Sequence, residues 1–241
     1  MLGPRLALIV LIAVALARPA LAAPPDPVAD GRLTAVRAPL RAVLDGADRD
    51  GLPRDLLQSK VREGLAKGVP PARILAVVRS MRDDLGRERA RVRTRLGLKH
   101  PPAALLRALL EAQQAGVAAP ATDALFAALG KRAKEPGLVA HAVEVLTDLT
   151  LAGYPVDRAR RVVSLVATRD PGALGRVRAD LERLRRAESL TPAEAVDAVA
   201  RGLERGESID KALKSAQSDQ AHGRGGERGR GAPAAPGKKS R

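Results

Sequence analysis

The strongest constraint in this chain is a recurring grammar of helix, glycine and proline-led restart. Leu57, Val61 and Leu65 form an apolar stripe that stops at Gly68, where glycine can take the left-handed cap conformation. Pro70 and Pro71 then restart the chain, because proline suits a first helical turn and not an interior. The next stripe, Ile74, Val77, Val78, Met81 and Leu85, has the i, i+3, i+4, i+7, i+11 spacing of an amphipathic helix. Residues 102–115 end at Gly116, 137–152 at Gly153 and 192–205 at Gly206 in the same way. Thr191-Pro192-Ala193-Glu194 is a helix start with Thr191 as N-cap and Glu194 reaching back, and Ser208 suits the N-cap of the partner helix. No sustained period-two alternation interrupts these patterns, so the sequence predicts an all-α fold.

Aligning the glycines exposes a degenerate internal repeat. Val61, Gly64, Leu65, Lys67 and Gly68 fall in register with Val199, Gly202, Leu203, Arg205 and Gly206, with Leu75 and Leu213 also matched. Gly68, Pro70, Arg73, Val77 and Val78 match Gly153, Pro155, Arg158, Val162 and Val163, and Gly116 is followed by Leu125, Phe126 and Leu129. A helical hairpin of about 30 residues cannot bury its apolar face alone and must stack on a neighbour. The turn glycines are unevenly spaced, 48, 37 and 53 residues apart. Two architectures fit: an irregular helical bundle, or a short array of stacked helical hairpins. Gly64 and Gly202, each inside a helix at a cost of about 1 kcal/mol, point to close helix contact. The hairpins resemble helical-repeat proteins in general outline but carry the residue signature of no named repeat family.

The termini read differently. After Arg5 the chain runs uncharged from Leu6 to Ala17, a helix of about 18 Å against a hydrocarbon core of about 30 Å. Ala20-Leu21-Ala22 is a small-x-small cleavage site, so residues 1–22 are expected to be a signal peptide with Ala23 as the first mature residue. An uncleaved anchor is the alternative. Residues 23–31 read as a Pro-rich linker, 32–215 as the helical-hairpin domain and 216–241 as a disordered tail, poor in large apolar side chains. The expected location is the periplasm or the exterior, with no transmembrane segment in the mature chain. The chain has no cysteine, which excludes disulfides, thiol nucleophiles and zinc fingers, so packing alone must hold the fold. Phe126 and Tyr154 are its only aromatic residues, too few for a stacking surface that reads single-stranded nucleic acid.

Candidate chemistry is sparse. His141, Glu144 and Asp148 share a helical face on which a metal or acid–base site could form, but they lie away from the buried stripe, and a solvated face is favoured. Asp45, Asp48, Asp50 and Gly51 echo a calcium loop whose first and twelfth positions, Gly46 and Leu57, cannot ligate; a polar turn is expected instead. Adjacent Asp83 and Asp84 read as helix surface. No nucleophile elbow or phosphate loop is present, and no catalytic, metal or cofactor residue is assigned.

The net charge of +15 is unevenly placed. Between Arg79 and Lys99, the bases Arg79, Arg82, Arg87, Arg89, Arg91, Arg93, Arg95 and Lys99 face only Asp83, Asp84 and Glu88. The tail adds Arg224, Arg228, Arg230, Lys238, Lys239 and Arg241 against Glu227. Both segments are expected to favour anionic partners: an envelope polymer, an anionic membrane surface or nucleic acid. The competing explanation is composition bias, since 33 of the 42 bases are arginine, as a GC-rich coding sequence produces. The first functional expectation is a non-enzymatic, exported protein-interaction or scaffold module of the cell envelope. Polyanion binding is the second, and a metal-dependent hydrolase centred on His141 the last.

Overall fold

The computed structural model describes residues 26–227, with side chains as far as 219. Among these residues there is no strand. The α-helices are α1 (Arg37–Arg49), α2 (Arg54–Ala66), α3 (Pro71–Leu96), α4 (Ala103–Gln114), α5 (Ala119–Leu129), α6 (Pro136–Leu151), α7 (Val156–Arg169), α8 (Val177–Glu188), α9 (Pro192–Glu204) and α10 (Ile209–Glu227). Short 3-10 segments occupy Pro27–Ala29, Gly31–Val36, Gly130–Lys134 and Pro171–Arg176.

Six helix ends close alike. After α2, Gly68 takes φ +64°, the Gly68 N–H donates to the Leu65 carbonyl at 3.2 Å, and the Val69 N–H donates to the Gly64 carbonyl at 2.9 Å. These bonds satisfy carbonyls that a helix end leaves unpaired. The same return from the residue after the left-handed position to the carbonyl five residues back follows α1, α4, α6, α8 and α9. The residues making that return after α1, α4, α6 and α8 are Leu52, Val117, Tyr154 and Leu190, all buried, so these four reversals also plant an apolar anchor, while after α2 and α9 the half-buried Val69 and the charged Glu207 make it. After α8 the left-handed position is held by Ser189, at φ 52°. The capping box at Thr191 and Glu194 forms as expected, and Ser208 Oγ accepts from the Lys211 N–H at 3.4 Å.

The reversals place most helices beside a next-but-one neighbour. One row runs α1, α3, α5, α7, α9; in the other, α4 lies on α6, α6 on α8 and α8 on α10. Consecutive pairs such as α2–α3, α6–α7 and α9–α10 join the rows. The core is largely Leu, Val and Ala. Its amino-terminal part gathers Val28, Leu33, Leu40, Leu44, Leu57, Val61 and the first half of α3, and its larger part runs from Val92 to Ala216. α4 binds the two together, giving Leu106 and Leu110 to the first and Leu105, Ala108, Leu109 and Ala112 to the second.

Three expectations are corrected. The segment read as a linker is packed from Asp26 onward: Asp26 and Asp30 cap the two 3-10 turns and Val28 is fully buried. The tail boundary at 216 falls inside α10, because Ala216 continues the Ile209 and Ala212 face against α9 and the helical backbone persists to Glu227. On α3, Val77 is 39% exposed while Leu75 is buried. A helix turns 100° per residue, so Val77 cannot share the core direction of Val78. Residues 1–22 and the tail beyond 227 lie outside the described residues.

The close contacts expected at the interior glycines are present. A Cβ on Gly64 would meet Ile74 Cγ1 at 2.8 Å, while one on Gly202 would meet Ala212 Cβ at 2.6 Å and its backbone Cα at 2.7 Å. Ile74 can rotate away, whereas α10 would have to move. Gly202→Ala is therefore expected to lower unfolding free energy in urea by about 2–3 kcal/mol. Gly64→Ala should stay within about 1 kcal/mol of the parent, since improved helix propensity offsets the strain. Equal losses at both positions would contradict this reading.

Candidate polyanion-binding surface

The arginine-rich segment lies on α3, opened by Pro71 in its first turn and closed by Gly97 at φ 69°. Arg93 and Arg95 sit in its last turn, where unpaired carbonyls favour cations. The structure divides the eight expected bases into two sets. Arg91 is the most enclosed, its side chain 17% exposed. Its guanidinium donates through Nε and Nη2 to Glu88 Oε2 at 2.9 and 2.5 Å, and through Nη1 to Thr122 Oγ1 at 2.9 Å and Asp123 Oδ1 at 2.5 Å. It also stands 5.6 Å from the centre of the Phe126 ring. This side chain fastens α3 to α5.

Arg82 donates to Asp50 Oδ2 at 2.6 Å, and Gly46 leaves room for its guanidinium, which a Cβ would approach to 3.3 Å. Arg87 pairs with Asp84, and Arg95 Nε lies 3.2 Å from Asp123 Oδ2. The other set, Arg79, Arg89, Arg93 and Lys99, has no ion-pair partner among the described residues. Arg224 lies on the α10 backbone, and Arg228, Arg230, Lys238, Lys239 and Arg241 lie outside the described residues. Sequence reasoning missed Lys134, exposed on the 3-10 segment after α5 and lining a cleft with Arg95. The cluster Lys131-Arg132-x-Lys134 was its signal.

Elsewhere arginines serve the same mechanical role. Arg54 on α2 holds Asp45 and Asp48 on α1, so the calcium-like turn has its carboxylates committed to Arg54 and Arg82. Arg107 reaches from α4 to Asp55 on α2, and Arg158 and Arg161 reach from α7 to Asp197 and Glu204 on α9. Arg32 and Arg132 donate to the terminal carbonyls of other helices, at Leu65 (3.0 Å) and Ala167 (2.9 Å). His141 Nδ1 lies 3.4 Å from Glu144 Oε2 on the exposed face of α6, and among the described residues no three His, Cys, Asp or Glu side chains gather to hold a metal. Tyr154 donates its hydroxyl to Glu182 at 3.0 Å, and burial, followed by that bond, raises its pKa.

Arg91→Ala strands the buried Glu88 and leaves Asp123 to Arg95 alone, and is expected to lower stability by about 3 kcal/mol, whereas Arg93→Ala should change it by less than about 0.5 kcal/mol in the same denaturation measurement. Carboxylates facing cations are held low: Asp30 by the hydrogen bond from Arg32, to about 2, and Glu63 by Lys60 and Lys67, also to about 2. Arg185 lowers Glu182 and Arg176 lowers Asp210. Such groups add stability above the unfolded carboxylate pKa and lose it as pH falls through the folded value. Thermal unfolding midpoints should hold level from pH 7 to about 5 and decline from about 4 toward 2; a midpoint that climbs on acidification would contradict these pairings. Compared with known proteins, the chain matches no family model, no curated protein and no solved structure.

Proposed function

We propose that the chain is an exported, non-enzymatic interaction module: a short array of stacked helical hairpins that meets its partner through charged helix faces. The observation that carries this reading is the outward surface. Among the described residues only Val77 and Leu151 are large apolar side chains left exposed, while the rows of helices present mainly charged and polar groups. A partner that docked into an apolar groove would require a contiguous apolar patch. A charged face instead gives selectivity and orientation through complementary potential.

The proposed export rests on residues 1–22 of the sequence. The described residues start at Asp26, with Val28 buried, so cleavage after Ala22 would leave every described residue in the chain. No helix among the described residues is long and apolar enough to cross a membrane. The second reading, binding of an anionic polymer or surface, keeps support from the unpaired set Arg79, Arg89, Arg93 and Lys99, but Arg82, Arg87, Arg91 and Arg95 have carboxylate partners of their own. A hydrolase centred on His141 draws no support from its exposed position beside Glu144.

The test is crosslinking of the full-length protein in intact cells, followed by amino-terminal sequencing of the recovered chain. A mature end at Ala23 and one discrete, saturable protein adduct, reduced at high salt and retained when residues 228–241 are deleted, are expected. Recovery in the cytosol with an intact amino terminus, or only as an uncrosslinked monomer, would overturn the proposal.

A further inference from the structure

Two clefts adjoin the last turn of α3. One, of about 540 Å³, is lined by Arg95, Leu96 and Asp123, with Phe126, Ala133 and Lys134 across from them. The other, of about 480 Å³, is lined by Ala90, Arg93, Thr94, Gly97 and Lys99. At 100° per residue, the α3 residues of the two clefts lie on opposite sides of the helix. Four cations therefore surround one helix end, and the carboxylate lining these clefts is Asp123. Its Oδ1 is taken by Arg91 at 2.5 Å, leaving Oδ2 for Arg95 at 3.2 Å. Arg93, Lys99 and Lys134 have no carboxylate partner among the described residues.

The carbonyl end of α3 explains part of this charge. A helix terminus carries about half a negative charge, felt within the last turn, which accounts for Arg93 and Arg95. Lys99 lies past the helix, Lys134 belongs to a separate segment, and half a charge cannot balance the excess. Other arginines among the described residues mostly find a carboxylate or a helix-end carbonyl, whereas this helix end gathers four cations around the single carboxylate of Asp123.

We propose that the end of α3 binds a flexible, base-free phosphate chain that passes from one cleft to the other around the helix end. This rests on the second reading above, binding of an anionic polymer, and names that polymer's chemistry at one site. Repeated oxyanions suit the guanidinium fork of Arg93 and the point charges of Lys99 and Lys134. Bases find little to stack on, because Phe126 and Tyr154 are 4% and 2% exposed and His100 is the one exposed ring beside the site among the described residues. A rigid duplex cannot follow opposite sides of a single helix turn. An alkyl chain is disfavoured because Leu96, Phe126 and Ala133 show little surface in the cleft.

The experiment titrates the full-length protein against fluorescently labelled inorganic polyphosphate, from 50 to 200 mM salt. It compares the parent, the triple variant Arg93→Gln, Lys99→Gln, Lys134→Gln, and the charge-matched control Arg73→Gln, Lys211→Gln, Lys214→Gln. Unchanged circular dichroism and melting confirm that each variant folds. The site variant should bind at least about tenfold more weakly, with a salt slope shallower by about two to three. The control should bind within about twofold of the parent. Equal weakening of both variants, or loss only when residues 228–241 are removed, would overturn the site. Tighter binding of single-stranded DNA of equal charge would overturn the base-free ligand, and binding of phosphatidylglycerol vesicles without polyphosphate would overturn the flexible chain. If polyphosphate fails while the discrete protein adduct still forms, the site falls and the module reading stands.

Discussion

Everything in this fold hangs on how its helices turn back. A core built from Leu, Val and Ala gains only modestly from each buried side chain, and no disulfide holds distant segments together. Helices must therefore meet often and at close range. The left-handed reversal meets that need in a few residues: it satisfies the end carbonyls, in four of six cases buries the following apolar residue, and lets a proline or N-cap start the next helix. Repeated after α1, α2, α4, α6, α8 and α9, it sets most helices against a next-but-one neighbour. Ser189 shows that the geometry, rather than glycine itself, is the requirement.

Charge is the second organising force, and its use changes what basicity means here. Arg54, Arg82, Arg91, Arg107, Arg158, Arg161 and Arg176 reach carboxylates on other segments, while Arg32 and Arg132 close helix ends. Arginine suits this role because its long stem covers apolar surface while its planar fork bonds two partners at once. Much of the positive charge is thus part of the scaffold. Among the described residues, what remains outward on α3 is smaller than a whole basic helix, and part of it lies where α3 ends near the 3-10 segment that follows α5.

The legible parts of the fold were those governed by neighbours in sequence. The stripes Leu57–Val61–Leu65 and Leu125–Phe126–Leu129, the cap at Thr191 and the glycine turns each follow from spacing within one helix or turn, whereas the polar turn expected over Asp45–Gly51 is mostly the end of α1, with Gly46 and Ala47 buried and only Asp50 and Gly51 in the turn. The matched glycines at 64 and 202 disclosed close helix contact, because an interior glycine has a local cost that only packing repays. Val77 misled because an apolar residue beside a true core position resembles one in a linear pattern. The segment from Asp26 to Gly31 misled because its prolines suggested an open linker, while Val28 finds a pocket made by distant helices.

The sequence by itself determined an all-helical chain, the sites of its reversals and the excess of positive charge, since these depend on backbone preferences and composition over a few residues. Only the tertiary structure decided which charges are free. Arg91 and Arg93 are two residues apart on one helix and alike in every local respect, yet one meets Glu88, Asp123 and Phe126 while the other faces a cleft without a carboxylate partner. Whether a guanidinium is a strut or a contact point depends on what another helix brings opposite it, and that is a property of packing.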